Sequence, residues 1–377
     1  MRIALISPFP PLKGGIARFS NRLQAAFEDT GCQVLPVPFR RLYPRWLLNG
    51  RSATDPGEPT PSVSPFHLDL MNPLSWVLTA RALRRLNPDV LLVAYWTGLL
   101  APFCAVMRAV TGIRTVVLLH NLTSHEPLPA ERLLQRLMLA FADGFVTLSG
   151  SVRRELESLG NRKPLLTLFH PLYDTHGPVP TKRDARRALC LPNDSKVLLF
   201  FGYIRRYKGL EVLLEAMAIA HREDSSLRLV VAGEFIRDAA HFRALAERLE
   251  IAGIVDFQVG YVPAERVGTL FAAADTVVLP YQSATQSGVI PLAFSHGVPV
   301  ITCAAGELSR QVAHDRNGWV VERPGPEALA EGILDFFTRR EAMPLREGIE
   351  EARKALSWKV FASESAAFLE TCARRGA

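Results

Sequence analysis

The sequence is short of the residues with which chemistry most often announces itself. It has five cysteines, Cys32, Cys104, Cys190, Cys303 and Cys372, an odd number at wide spacings. No two are close enough to make a metal knuckle or a redox pair, so a reduced, cytosolic compartment is expected. There is no Asp-x-Asp pair, no His-Glu-x-x-His and no cluster of Cys with His. No tightly held metal is therefore expected, and no resident cofactor. The absence of Gly-x-Ser-x-Gly removes the usual serine-hydrolase elbow. Neither a Walker loop nor Gly-x-Gly-x-x-Gly is present.

Long apolar runs are also scarce. The opening Met-Arg-Ile-Ala-Leu-Ile-Ser-Pro is too short for a signal peptide and reads as a first strand. Residues 90–107 carry no charge, and about 18 residues is the lower limit for a spanning helix. Thr97, Gly98 and Pro102 interrupt that stretch, and its first half is the sequence of a buried parallel strand running into a loop and a helix.

What the chain does have is bulk and alternation. With 377 residues, 48% hydrophobic and 21% charged, it can bury two or three domain cores. The net charge of +7 lies entirely in residues 1–180, which hold 19 Lys+Arg against 12 Asp+Glu; the remainder holds 25 of each. An anionic surface is one partner such a half would suit, and a merely solvated basic surface is the other reading; no nucleic-acid partner is expected. Arg40, Arg41 and Arg45 stand among Phe39, Leu42, Tyr43, Trp46, Leu47 and Leu48, a pattern that suits peripheral contact with anionic lipid or, equally, apolar residues packed inward beneath solvated arginines.

Strand-like and helix-like segments alternate throughout. Strands are predicted at 2–7, 33–38, 90–95, 115–120 and 144–148, with helices at 16–29, 75–86 and 130–142. Residues 53–65, rich in Pro, Ser and Thr, predict a loop, and 174–181 an interdomain linker. The alternation then restarts, with strands at 196–201, 227–232, 255–258, 276–279 and 298–302. The expected fold is α/β, two Rossmann-like, doubly wound domains facing across a cleft, with ligands beyond the carboxyl ends of the strands.

Four segments at such ends could carry chemistry. Gly14 and Gly15 follow the first strand and precede a helix, where backbone N–H groups can approach a phosphate, although glycine pairs often only turn the chain. Arg205 and Lys208 sit in Gly202-Tyr-Ile-Arg-Arg-Tyr-Lys-Gly209, between strand and helix, as two cations suited to a diphosphate or as a solvated loop. His120 ends an apolar strand, placed for a sugar hydroxyl or proton transfer, or as a satisfied structural imidazole. Thr285, Gln286, Ser287 and Gly288 form a small hydroxyl-rich turn of the anion- or sugar-binding kind.

Together with SPFPPLKGGIARF, HNLTSHE, FHPLYD, FGYIRRYKGLEVLLEA, VVAGEF, GYVP, LFAAADTVVLPYQSATQSGV, HGVPVI, NGWVVERPGPEALAEGI and Leu356-Ser-Trp358, these segments fall in an order that resembles the family-4 retaining glycosyltransferases of the GT-B fold, over nearly the whole chain. The resemblance implies an acceptor-binding domain at 1–175, a nucleotide-sugar domain at 185–355, and a helix at 356–377 that crosses back to the first domain. It implies that Gly14 and Gly15 close over the diphosphate, that Arg205 and Lys208 hold it in place of a metal, and that His120 is the active-site histidine beside the donor sugar. The implied reaction moves a hexose from a nucleotide-diphosphate donor to a glycan or lipid-linked acceptor with retention, in surface polysaccharide or glycoconjugate assembly, in the cytoplasm or at the inner face of the membrane. One departure stands out. The family's paired glutamates fall at Ala284 and Leu292, neither of which can bind a sugar hydroxyl, which leaves Thr285, Gln286, Ser287 and Gly288 to replace them. A nucleotide-sugar epimerase or an inactive GT-B binding subunit are the alternatives, since fold does not determine function.

Overall fold

The computed structural model describes the chain except for residues 13–14, 43–65, 67, 124–129, 173–178, 236–237, 283–286, 305–307 and 375–377. It divides into two compact units, Met1–Phe169 with Trp358–Ala377, and His170–Ser357. The division falls just before the 174–181 stretch, most of which, like the 53–65 segment, lies outside the described residues.

The first unit runs β1 (Arg2–Ser7), α1 (Gly15–Asp29), β2 (Gln33–Arg41), β3 (Leu68–Asp69), α2 (Pro73–Leu86), β4 (Val90–Tyr95), α3 (Leu100–Thr111), β5 (Thr115–Leu119), α4 (Glu131–Phe141), β6 (Gly144–Thr147), α5 (Gly150–Ser158) and β7 (Leu165–Thr167). Its seven strands are parallel, in the order β3-β2-β1-β4-β5-β6-β7. Both faces of the sheet are covered. Ile3 and Leu5 of β1, with Val90 and Leu92 of β4, pack on Leu23 and Phe27 of α1. Ala4, Ile6, Leu91 and Val93 face the other way, onto Leu83 of α2, Phe103 and Met107 of α3, and Met138 of α4. Burial on two sides is why β4 reads as the uncharged Val-Leu-Leu-Val-Ala-Tyr, every residue of it buried. The uncharged 90–107 stretch is thus β4, a loop and the start of α3, and among the described residues no helix is long and apolar enough to cross a membrane.

The helix ends follow local chemistry. Asn72 caps α2, its side-chain oxygen accepting from the Leu74 N–H, with Pro73 at the first helical position. Asn87 closes the helix in the left-handed region, its N–H donating to the Leu83 carbonyl, which stops the helix just before Pro88.

The second unit runs α6 (Lys182–Ala188), β8 (Lys196–Phe201), α7 (Leu210–Glu223), β9 (Leu227–Gly233), α8 (Ala239–Arg248), β10 (Val255–Val259), α9 (Ala264–Ala273), β11 (Thr276–Leu279), α10 (Val289–Ser295), β12 (Val300–Cys303), α11 (Leu308–Gln311), β13 (Gly318–Val321), α12 (Pro326–Arg339) and α13 (Leu345–Ala355). Its six strands are parallel, in the order β10-β9-β8-β11-β12-β13. Leu198 and Phe200 pack toward α7 and α12, while Val197 and Leu199 pack toward α9 and α10. Ahead of β11 lies Asp275, buried, its carboxylate accepting from Arg186 at 2.7 Å, Arg340 at 3.1 Å, Lys182 and the Val197 N–H. Burial works against that charge, but the lysine, the arginine and the N–H hold the carboxyl below the usual range, so it stays ionised and ties α6 to the sheet.

The last helix, α14 (Trp358–Arg374), belongs to the first unit. Its Trp358, Phe361, Ala362 and Leu369 complete the core around Phe19 and Leu23 of α1.

Candidate functional site

Each sheet reverses its strand order at one point, between β1 and β4 in the first unit and between β8 and β11 in the second. Ligands of such sheets bind outside the carboxyl ends of strands at that reversal, where the loops on either side part.

In the second unit the reversal brings together the loop after β8 and the loop after β11. The first runs from Gly202 through a 3-10 turn at Arg206–Lys208 into α7. Its path is set by close backbone approaches. A Cβ on Gly209, which has φ +71°, would lie 2.1 Å from the Pro280 carbonyl oxygen, and one on Gly233, with φ +151°, would lie 1.8 Å from the Gly202 carbonyl oxygen. Only glycine fits either position. The Gln282 N–H donates to the Tyr207 carbonyl at 2.8 Å, and the Tyr207 and Tyr281 rings meet edge to face at 6.0 Å, so the two loops are locked to each other.

Lys208 is the group these contacts position. It is 8% exposed, and its ammonium lies 5.3 Å from the Tyr281 ring centroid, folded back against Gly202. Among the described residues no carboxylate lies within 4 Å of it. Burial, reinforced by the nearby charge of Arg205, brings its pKa down to about 8. A buried cation without an acid is costly, and an anionic ligand relieves that cost. Arg205 is exposed at the same loop. Across from it Ser287 is buried, its hydroxyl accepting from the Val289 N–H at 3.2 Å, and Gly288 is half-buried at the start of α10. Thr285, Gln286 and Ala284 lie outside the described residues; Leu292 is a half-buried residue of α10 packed on the apolar core. Arg205, Lys208, Ser287 and Gly288 are therefore brought to one switch point.

In the first unit, Gly15 is the exposed first residue of α1, with nothing within 4 Å of where a Cβ would stand. The helix has no acid in its first turn, so its N–H groups present an unopposed positive end. Gly14 lies outside the described residues. His120 follows β5 and is 5% exposed; its N–H donates to the Tyr95 carbonyl at 2.9 Å. Its ring meets Phe19 edge to face at 5.0 Å, and Phe19 in turn packs on Trp358 at 5.1 Å and Phe361 at 5.7 Å. Gly15 and His120 thus stand beyond the carboxyl ends of β1 and β5, on either side of β4.

The chain matches two family descriptions, Glycosyl transferase 4-like domain over residues 14–171 and Glycosyl transferases group 1 over residues 181–355. It belongs to the family-4-like glycosyltransferases of the GT-B fold. Among curated relatives, the D-inositol 3-phosphate glycosyltransferase 2 of Catenulispora acidiphila is 38% identical over 165 residues, covering 41% of this chain and 38% of that one. The D-inositol 3-phosphate glycosyltransferase of Streptomyces avermitilis is 29% identical over 279 residues, covering 70% of this chain and 59% of that one. The chain thus spans from about two fifths to three fifths of the length of these relatives. Among solved structures, a sucrose-phosphate synthase from Thermosynechococcus elongatus superposes with a TM-score of 0.74 at 20% identity, covering 98% of both chains. Anabaena HepE in complex with UDP gives 0.76 at 16%, covering 98% of this chain and 100% of that one.

Within this family member the structure gives contacts to motif residues for which the sequence reading assigned no role. Tyr281 supplies the ring beside Lys208, and Gly233 makes room for the loop that carries it. Phe19 packs on His120, and Trp358, distant in sequence, packs on Phe19. All four stand in quoted motifs, Phe19 in SPFPPLKGGIARF, Gly233 in VVAGEF, Tyr281 in LFAAADTVVLPYQSATQSGV and Trp358 in Leu356-Ser-Trp358, but no local pattern marked the contacts they make. Phe39 is buried in the core of the first unit and Arg41 is paired with Asp69 at 2.7 Å, while Arg40 is exposed and residues 43–48 lie outside the described residues.

Proposed function

We propose that this chain transfers a hexose from a nucleoside-diphosphate donor to a glycan or lipid-linked acceptor, with retention at the anomeric carbon. The observation that carries the reading is the buried Lys208 ammonium, with no acidic partner among the described residues, at the switch point of the second unit. As the sugar–phosphate bond breaks, negative charge grows on the departing diphosphate. Lys208 and Arg205 meet that charge more strongly in the transition state than before it, which lowers the barrier. The loop is already held by its contacts to Pro280 and Gln282, so little reorganisation is needed as the charge develops. The role of a counter-ion falls to these side chains in place of a metal. His120, held by Phe19, is the group offered to the donor sugar as a hydrogen-bond partner. Ser287 and Gly288, with Thr285 and Gln286, take the place of the glutamate pair of other members, and Gly14 and Gly15 contribute N–H groups to the diphosphate.

The names of relatives support a uridine diphosphate hexose as the first donor to try and an inositol phosphate as the first soluble acceptor. Thermal stabilisation by a panel of nucleoside-diphosphate sugars tests donor binding, because a ligand of the native state raises Tm. Product analysis with and without acceptor then separates transfer from epimerisation. If no donor shifts Tm in wild type, the reading fails.

A further inference from the structure

We propose that the outer face of α2, α3 and α4 in the first unit is a docking surface for an anionic lipid bilayer. The three helices lie side by side on one face of the sheet. On α2 the inward residues are Ser75, Thr79 and Leu83, four apart and buried. The stripe turned outward is Leu74, Leu78, Arg81 and Arg85, all exposed, with Leu74 at 65% and Leu78 at 56%. That is the i, i+4, i+7, i+11 spacing of one helical face. Leu133 on α4 is 67% exposed and has Arg132 and Arg136 beside it. Single exposed leucines are ordinary on a protein surface; here Leu74 and Leu78 on α2 and Leu133 on α4 stand on two helices that both pack against α3.

The charge of this face is of one sign. Together α2, α3 and α4 contain one acidic residue, Glu131, and it is buried. Arg108 is engaged with Asp143 and does not count toward the face. Arg81, Arg84, Arg85, Arg132 and Arg136 are exposed, and no ion pair joins them to a carboxylate among the described residues. Protein interfaces deplete charge toward their centre, and a nucleic-acid face has no use for protruding leucines. Leucines beside arginines match a bilayer boundary, where apolar chains enter the acyl region and guanidinium groups stay with the phosphates. The proposal is independent of glycosyl transfer, since it uses none of the residues assigned to that reaction.

Co-sedimentation of the full chain with vesicles tests it. Wild type is expected to pellet with phosphatidylglycerol–phosphatidylcholine vesicles, not with phosphatidylcholine alone, and to be released as salt screens the charges. The Leu74→Ser/Leu78→Ser variant should bind at least about tenfold more weakly, and Arg81→Ser/Arg85→Ser should lose about fivefold per arginine. Leu133→Ser, on a separate helix, repeats the first test independently. All of these positions are exposed, so the variants should keep the wild-type circular dichroism and melting curve. Equal binding to neutral and anionic vesicles, or unchanged binding in every variant, overturns the proposal. So does a wild-type dimer in ultracentrifugation that Leu74→Ser/Leu78→Ser dissolves, which would give the face to a second copy of the chain.

Discussion

Lys208 is an ammonium buried beside an aromatic ring, and it should cost the unliganded protein stability. Its pKa falls from 10.5 in the unfolded chain to about 8, which puts the cost on the order of 3 kcal/mol below that pH. Between about pH 8 and 10.5 the unfolded state binds the extra proton, so wild-type stability gains with rising pH over that window as the penalty disappears. Lys208→Met should therefore be more stable than wild type in urea at pH 7, with the gap closing toward pH 10. A gap that does not change with pH would mean the cost is not one of charge. The same substitution, like Lys208→Ala, should lower turnover about a hundredfold, equivalent to roughly 3 kcal/mol of lost transition-state stabilisation. In wild type, kcat/KM should fall as pH rises through about 8, because the free enzyme then loses the ammonium. Full turnover by Lys208→Ala would remove this residue from the diphosphate site. Sequence alone brought out Arg205 and Lys208, because their loop follows a strand and opens a helix, although a solvated basic loop was the other reading. It did not bring out Tyr281 as the partner of Lys208, since that contact joins loops far apart in the chain.

The loop after β8 holds its shape through contacts with neighbouring elements. Gly209→Ala would drive a methyl to 2.1 Å from the Pro280 carbonyl, at a φ of +71° that L-residues seldom adopt. The expected loss is about 1–3 kcal/mol of stability, seen as a lower urea midpoint, with weaker donor binding as Lys208 shifts. Gly15→Ala is the contrasting case: nothing stands within 4 Å of the new methyl, so the fold should tolerate it and any loss should appear in KM for the donor. If Gly209→Ala melts like wild type and Gly15→Ala does not, the assignment of the two glycines is reversed. On α14, Trp358 packs on Phe19 at 5.1 Å and on Phe361 at 5.9 Å, and Phe19 holds the His120 ring. Trp358→Ala should cost about 3–5 kcal/mol, while Trp358→Phe should recover most of it. Periodicity marked α1, α2 and α4 well, because their apolar faces are long. It passed over β3 and β7, with 2 and 3 residues, which are too short for alternation to register, and over β13, although the equally short β6 and β11 were found.

At the scale of the whole molecule, two parallel sheets each bury both faces beneath helices, and each has a single reversal of strand order. Among the described residues there is no group of three or more His, Cys, Asp or Glu placed to hold a metal ion. If cationic side chains fill the place of a metal in the proposed transfer, turnover should persist in EDTA. Loss in EDTA that Mg²⁺ or Mn²⁺ restores would give the diphosphate to a cation and leave Lys208 and Arg205 a lesser share.

The sequence by itself determined the class of this protein. Uncharged strand-length runs alternating with amphipathic helices have one economical solution, a parallel sheet covered on both sides, and the run through Val90–Tyr95 required burial on both faces whatever lay around it. Motifs that keep chain order, such as Gly202 to Gly209, were legible because a phosphate-binding turn is a local device. What tertiary structure decided is everything that depends on pairs distant in sequence. The burial of Lys208 is set by Tyr281 and the loop that carries it, and the need for glycine at 209 and 233 by carbonyls at 280 and 202. The Phe19–Trp358 packing beside His120 joins opposite ends of the chain, and the acid-free face of α2, α3 and α4 exists only because the three helices lie together. Local propensity has no term for such pairs; they arise when the sheets fold and bring the loops of adjacent strands side by side.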